Sequence, residues 1–425
     1  MIKINKISKQ PSPIPKEICI DKTLSLLFEG YLYIANRNRR FQSDLFETRL
    51  MGQKVICISG KNAAMLFYDR YWFTRENVIP KRIQRTLFGQ KSIQTLVGAP
   101  HLHRKLLFLS LMTDDQISKI LRIAKAQWHI SMKRWEKKEE LVLFDELTVL
   151  FFRVACKWAE VPLRCSETRK RAFEMSSMID AFGAIGPRYW KGRYSRSSAE
   201  EWAQKMIQDV RFGIIKPSER SALYNIAWFK DLSGKLLSSQ IAAVELINIL
   251  RPITAVATYV TFEALAIHTY PQCSNKLKEG NSDYAECFAQ EVRRFYPFGP
   301  FLGAKVRQDF NWHNHTFTKG TLVFLDLYGT NHDGRIWDNP NVFIPERFIN
   351  RPERPYDLIP QGGGDYKKGT RCPGEWITVE LMKLSADFLV NHLDYHVPLQ
   401  DLNVSYRRIP TFPRSKFIIN KIKIK

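Results

Sequence analysis

The chain has 425 residues, 44% of them hydrophobic and 12% aromatic, enough to bury a large core and to exclude a disordered or fibrous protein. Its 65 Lys and Arg against 42 Asp and Glu leave a formal charge of +23, which draws anionic partners: nucleic acid, an anionic membrane surface or acidic small molecules. No helix-turn-helix, zinc-finger or RNA-binding signature accompanies that charge. The expectation is therefore a solvated cationic surface that attracts negatively charged substrates, with no nucleic acid partner; a basic polyanion or membrane-surface binder is the alternative from a different class.

Seven cysteines without regular spacing, and no CxxC or His/Cys cluster, argue against zinc and for reduced thiols in a cytoplasmic protein. The N-terminal stretch Met1 to Lys9 alternates polar and apolar residues and has no hydrophobic signal core. The most apolar segment, Ala255 to Ile267, is too short to span a bilayer and contains Glu263, so no transmembrane anchor is expected. No linker, repeat or low-complexity tract divides the chain, which reads as a single domain, residues 1–425.

In chain order, Leu24, Leu27, Tyr31 and Ile34 suit a helix from Asp21 to Ala35. The runs Leu45 to Leu50 and Lys54 to Ser59, joined through Gly52, read as a β-hairpin. Lys61 to Tyr68 reads as a helix, and His101 starts another. Further helices are predicted over Thr113–Lys137, Phe144–Glu160, Glu167–Ala184 and Ala199–Gly213, with Thr113 and Gln116 at the spacing of a capping box. The Gly/Pro-containing stretch from Ile185 to Gly192 reads as a loop.

Gln240 to Tyr270 is the longest helical candidate, and Arg251-Pro252 interrupts its apolar centre. Proline removes a helix hydrogen bond at a cost of about 3 kcal/mol, and a buried arginine must find an anion. That anion is either an internal carboxylate or a ligand carboxylate gripped by the guanidinium fork. Downstream, Glu291 and Arg294 share one helix face, three residues apart. Strand-like segments follow near Lys305, Thr316 and Thr321 to Leu327, then Pro345-Glu-Arg347-Phe348.

The last feature is the loop Gly362-Gly-Gly-Asp-Tyr-Lys-Lys-Gly-Thr-Arg-Cys372-Pro-Gly-Glu375, leading into a helix to about Asn391. Its glycines permit close backbone approach, and a helix N-terminus just after a thiol favours the thiolate. Such a thiolate suits an axial bond to haem iron.

The order Glu-x-x-Arg, Pro-Glu-Arg-Phe, Gly-rich cysteine loop resembles the cytochrome P450 superfamily across essentially the whole chain. The resemblance implies a mainly α fold with a small β region, haem b as cofactor, Cys372 as the iron ligand, and a structural network of Glu291, Arg294 and Arg347 beneath it. In the loop, Gly-Thr-Arg371 runs directly into Cys372, where the family usually spaces its glycine, arginine and cysteine further apart. In the long helix, Asn248-Ile-Leu-Arg251-Pro252 stands where the family normally carries an acid–alcohol pair that delivers protons for oxygen activation. Arginine and proline cannot do that.

The substitution resembles the bacterial fatty-acid peroxygenase branch, as do Gly186-Pro-Arg-Tyr-Trp-Lys-Gly192, Leu325-Asp-Leu-Tyr-Gly-Thr-Asn-His-Asp333 and Ile359-Pro-Gln-Gly-Gly-Gly364. Asp365 and Trp376 stand where that branch often has histidine and glycine. The likeness implies hydroxylation of long-chain fatty acids at the α and/or β carbon with hydrogen peroxide as co-substrate and no reductase. Arg251 would anchor a substrate carboxylate that serves as general acid–base, and Pro252 would shape the helix over the haem. Leu87, Phe88, Phe182, Phe298 and Phe301 match positions lining the acyl-chain channel, each also explicable as core. Gln94 matches a position where histidine accompanies decarboxylation to terminal alkenes and glutamine accompanies hydroxylation. His101 and Lys105 match the propionate side of the haem, or are surface charges at a helix end. Decarboxylation and a reductase-dependent monooxygenase remain the enzymatic alternatives.

Overall fold

The computed structural model describes residues 14–18, 20–352 and 355–425; the N-terminal reading from Met1 to Lys9 and Cys19 lie outside them. Helices dominate, and small sheets flank them: β1 (Leu45–Leu50), β2 (Gln53–Ile58), β3 (Phe73–Thr74), β4 (Glu140–Val142), β5 (Phe301–Val306), β6 (Phe310–Trp312), β7 (His315–Phe317), β8 (Leu322–Asp326), β9 (Leu393–His396) and β10 (Ile418–Ile424). The main sheet runs β1-β2-β8-β5-β3. Only the β2–β8 pairing is parallel, with Val55 opposite Leu322, so β8 is buried along its whole length, as a central strand covered on both faces must be. The hairpin predicted around Gly52 is present with Leu50 opposite Gln53.

The long helix, Ser239–Thr269, is the axis of the molecule. The Ser238 hydroxyl caps it by accepting from Ile241 N at 3.2 Å. It packs against helices Leu143–Ala159, Pro187–Arg211 and Glu375–Asp387. Residues Ala242 to Ile267 are buried with one exception, Pro252, which keeps an exposed face. The helix is long and apolar enough to cross a membrane, yet 89% of its most apolar window is enclosed by the rest of the fold, so its hydrophobicity is that of a core element. Around it lie fully buried Trp128, Trp135 and Trp158, with Trp128 stacked on Phe388 at 5.2 Å. Each large apolar side chain buried here stabilises the fold by roughly 1.5–3 kcal/mol.

Three local expectations are corrected. The N-terminal helix is two helices, Thr23–Glu29 and Tyr33–Phe41. The break falls at Gly30, whose positive φ of 57° brings its backbone against Tyr406. The stretch Ile185 to Gly192 is not a loop: a helix starts at Pro187 and runs to Arg211. Pro187 occupies the first turn, where a missing N–H costs nothing, and Gly192 lets the helix lie against Ala181, whose Cβ would be 2.2 Å from an added methyl. Thr113 stands before the helix Asp114–Trp135 without a side-chain cap bond, and Gln116 instead donates to Arg220 O at 3.1 Å.

Candidate active site

Cys372 lies three residues before the start of the helix Glu375–Asp387. The loop is tied down by buried charges. Glu375 accepts from Arg293 Nη2 at 2.5 Å and from Arg371 Nε at 2.6 Å. Lys105 Nζ donates to the carbonyls of Gly369 and Arg371 at 2.6 and 3.2 Å, and Tyr366 Oη donates to Pro373 O at 2.7 Å. Asp365 accepts from Lys368 N at 2.6 Å, so the residue that departs from the family pattern closes a turn of the loop. The helix end does not by itself favour the thiolate. Burial and then the charge of Glu375 push the Cys372 thiol up, against the pull of the Gly374 N–H, Arg293 and Lys105.

Behind the loop, Glu291 accepts two bonds from Arg294, each 2.7 Å, and lies 3.2 Å from Arg347. Arg294 also donates to the carbonyls of Asn331, Pro340 and Val342, and Glu291 further accepts from Ile344 N. The three residues singled out from the sequence therefore meet, and they clamp the Pro345–Phe348 turn to the helix Ser282–Phe295.

Arg251 is treated differently. It is 7% exposed and has no carboxylate partner among the described residues. Its Nη2 donates to Asn248 Oδ1 at 3.0 Å, its Nε has no partner, and its Cζ lies 5.8 Å from the Phe88 ring. Burial, then the charge of Arg196, lowers its pKa to about 9, while Cys372 acts the other way. An anion delivered here would relieve both penalties.

The carboxylate nearest along the helix is held away from Arg251. Glu245 is fully buried and accepts from Arg104 Nη1 at 2.6 Å, from Ile93 N at 2.9 Å and from Asn248 Nδ2 at 3.1 Å. Asn248 Nδ2 also faces Phe88 O at 3.1 Å and Gln94 Oε1 at 3.3 Å. With its amide nitrogen surrounded by acceptors, Asn248 must turn its oxygen to Arg251. Sequence reasoning did not single out Arg104, Glu245 or Asn248. The available signal was an acid and an amide six and three residues before Arg251 in an otherwise apolar run.

The structure thus joins Leu87, Phe88 and Gln94 to the Arg251 neighbourhood: Leu87 O accepts from Arg196 at 2.9 Å, and the other two contact Asn248. Phe298 stacks on Tyr259 at 4.5 Å, and Phe301 stacks on Phe324 at 4.5 Å, so both rings also serve packing. Phe182 is half-buried just beyond the helix Cys165–Asp180 and has no ring partner among the described residues. His101 and Lys105 lie beside Arg70 and Arg75, which the sequence reading missed. Burial, then the charges of Lys105, Arg70 and Arg75, lower His101 to about 4; burial, helped by Arg70 and Arg75 and opposed by Cys372 and Asp365, lowers Lys105 to about 8. Arg75 Nη2 is buried without a partner.

These features fit a flat dianionic macrocycle. Pro252 leaves an accessible face on the central helix, and three cations, Arg70, Arg75 and Lys105, gather with the neutral His101 without a carboxylate for Arg75. Cys372 would ligate the iron, and Arg70, Arg75, His101 and Lys105 would receive the propionates.

Comparison with known proteins agrees. Residues 281–415 match the Cytochrome P450 family profile. Cytochrome P450EX alpha (CYP152N1), solved with myristic acid, is 42% identical with a TM-score of 0.94, covering 97% of this chain and 100% of that one. Cytochrome P450SP alpha (CYP152B1) in complex with (R)-ibuprophen is 43% identical with a TM-score of 0.93, over 95% and 99% of the two chains. Ligand-free cytochrome P450 OleT is 38% identical with a TM-score of 0.95, over 97% and 99%. Psoralen synthase of Pastinaca sativa is 30% identical over 132 residues, 29% of this chain and 27% of that protein, so the chain matches only about a quarter of this curated relative's length. The chain belongs to the cytochrome P450 family, and haem b is its cofactor.

Proposed function

We propose that residues 1–425 act as one haem-thiolate domain that hydroxylates long-chain fatty acids at the α and/or β carbon, using hydrogen peroxide and no reductase. The observation that carries this reading is Arg251: a buried cation with no carboxylate partner among the described residues, close enough to Cys372 for the thiol's charge to raise its pKa against burial. A carboxylate bound there completes the ion pair and brings its own α and β carbons toward the thiolate side. Haem held through Cys372 would supply the thiolate-assisted oxidising chemistry that peroxide cleavage and oxygen transfer require.

The chain's residues do the rest. Arg251 holds the substrate carboxylate, and Asn248 fixes the guanidinium. The held carboxylate takes a proton from one peroxide oxygen and gives it to the other, which leaves as water. The fatty acid gains a hydroxyl and the base is regenerated. Pro252 itself presents no hydroxyl or carboxyl to compete for that proton. Leu87 and Phe88 supply apolar surface beside the chain. Gln94 accepts from Asn248 and offers a neutral amide, which can hydrogen-bond but not transfer a proton; that favours hydroxylation over decarboxylation. The six free cysteines among the described residues fit a cytoplasmic setting.

The test mixes purified holoenzyme with a long-chain fatty acid and hydrogen peroxide, without reductase or NAD(P)H. The expected products are 2- or 3-hydroxy acids. A requirement for NAD(P)H and an electron-transfer partner would instead identify a monooxygenase.

A further inference from the structure

A cavity of about 540 Å³ lies between the Gln84–Lys91 segment, the helix Pro187–Arg211 and the start of the long helix. That volume is in the range of small-molecule sites, ~300–1,000 Å³. Its walls carry four cations, Arg85, Lys91, Arg193 and Arg196, against one acid, Glu200. Ile241 and Val244 are its only apolar lining residues, so it does not suit an acyl chain.

Three of the four cations are not engaged elsewhere. Arg85, Lys91 and Arg193 form no hydrogen bond or ion pair among the described residues. Arg196 is 2% exposed. Its Nε reaches Glu200 and its Nη1 donates to Leu87 O at 2.9 Å, but its Nη2 is buried without a partner. Three uncommitted cations converging on one cavity are what a bound multivalent anion would satisfy.

The cavity is distinct from the Arg251 site. Its lining includes neither Arg251 nor Asn248 nor Phe88, and Gly89, next to Phe88, packs so closely on the cavity side that an added Cβ would lie 2.3 Å from Arg196 Nη2 and 2.5 Å from a Val244 methyl. Arg196 lies near enough to Arg251 for its charge to lower that residue's pKa.

We propose that this cavity is a second ligand site, taking a small multivalent anion of the phosphate class. Guanidinium forks match phosphate oxygens two at a time, and several converging charges favour a multivalent ion over a fatty acid's single carboxylate. The proposal is independent of the reaction assigned to the Arg251 site.

The test is calorimetric titration of the holoenzyme with sodium pyrophosphate at constant ionic strength, using haem-loaded protein so that the propionate-side cations are occupied. Saturable one-to-one binding is expected. The variant Lys91→Glu/Arg193→Glu should weaken it at least ten-fold, as should each single reversal to a smaller degree. Lys133→Glu/Lys137→Glu loses the same charge on exposed residues elsewhere and should bind like the parent. The Arg251→Met holoenzyme should also retain binding, which separates this site from the substrate anchor. Absence of saturable binding, equal weakening by both double reversals, or loss of binding with Arg251→Met would each overturn the proposal.

Discussion

Arg294 and Arg251 are both closed off from solvent, yet their surroundings differ in kind. Arg294 places two donors on Glu291 and others on three carbonyls, with Arg347 reinforcing the acid. Arg251 has one side-chain amide, an aromatic face and a repelling neighbour in Arg196. A satisfied buried charge holds structure together. One left uncompensated has an energetic cost that folding does not recover, and a ligand can recover it. Burial alone therefore does not separate a structural arginine from a functional one; the census of partners does.

That contrast is open to direct attack. The largest effect should come from Arg294→Met, which strands the Glu291 carboxylate with only Arg347 and Ile344 N. Breaking a buried pair from one side costs roughly 3–5 kcal/mol, so denaturant unfolding should show a loss of that size, or haem-loaded protein should fail to accumulate. The same change at Arg251 leaves no carboxylate stranded. Arg251→Met should unfold within about 1 kcal/mol of the parent, or later, because it removes an unpaired buried charge. A loss comparable to Arg294→Met would erase the distinction drawn here.

An intermediate effect is expected at Arg104, which neutralises Glu245 and so leaves Asn248 free to face Arg251. Arg104→Met should lower kcat/KM for a fatty acid by about ten-fold, ~1.4 kcal/mol, and adding Glu245→Gln should restore part of it. If the double variant is no better than the single, the relay through Asn248 is wrong.

The last effect is one of acidity and vanishes at neutral pH. Burial and the charge of Arg294 lower His332 from 6.5 to about 4, while its Nδ1 lies 3.0 Å from Tyr328 O. Between those values the unfolded chain binds a proton that the folded chain does not. Stability should be intact above pH 6.5 and decline as pH falls toward 4, by about 1–2 kcal/mol at pH 5 from this group. His332→Gln should flatten that part of the stability profile; an unchanged slope would remove His332 as its source.

Much of this was legible in the sequence because it rests on local signals. The hairpin at Gly52 follows from alternation and turn residues, and the Glu291–Arg294 pair follows from helical spacing. Cys372 was found through motif order, and Arg251 through being a charge in an apolar run. The rest depended on distant neighbours. Pro187 reads as a loop residue or a first-turn helix residue until Ala181 is seen against Gly192. Thr113 and Gln116 had capping spacing, but Gln116 found a tertiary partner in Arg220. The isolation of Arg251 required knowing that Arg104, 141 positions before Glu245, takes the acid that could have paired with it.

The central claim is that Arg251 is uncompensated because a substrate carboxylate completes it. Its most direct test compares peroxide-supported turnover of one long-chain fatty acid by the parent and by Arg251→Ala, both haem-loaded, with hydroxy acids counted by mass spectrometry. Loss of a charge-assisted bidentate contact, about 3 kcal/mol, predicts a fall in kcat/KM of roughly 100-fold or more with the haem-thiolate spectrum unchanged. Hydroxy-acid formation by Arg251→Ala at the parent's rate would contradict it.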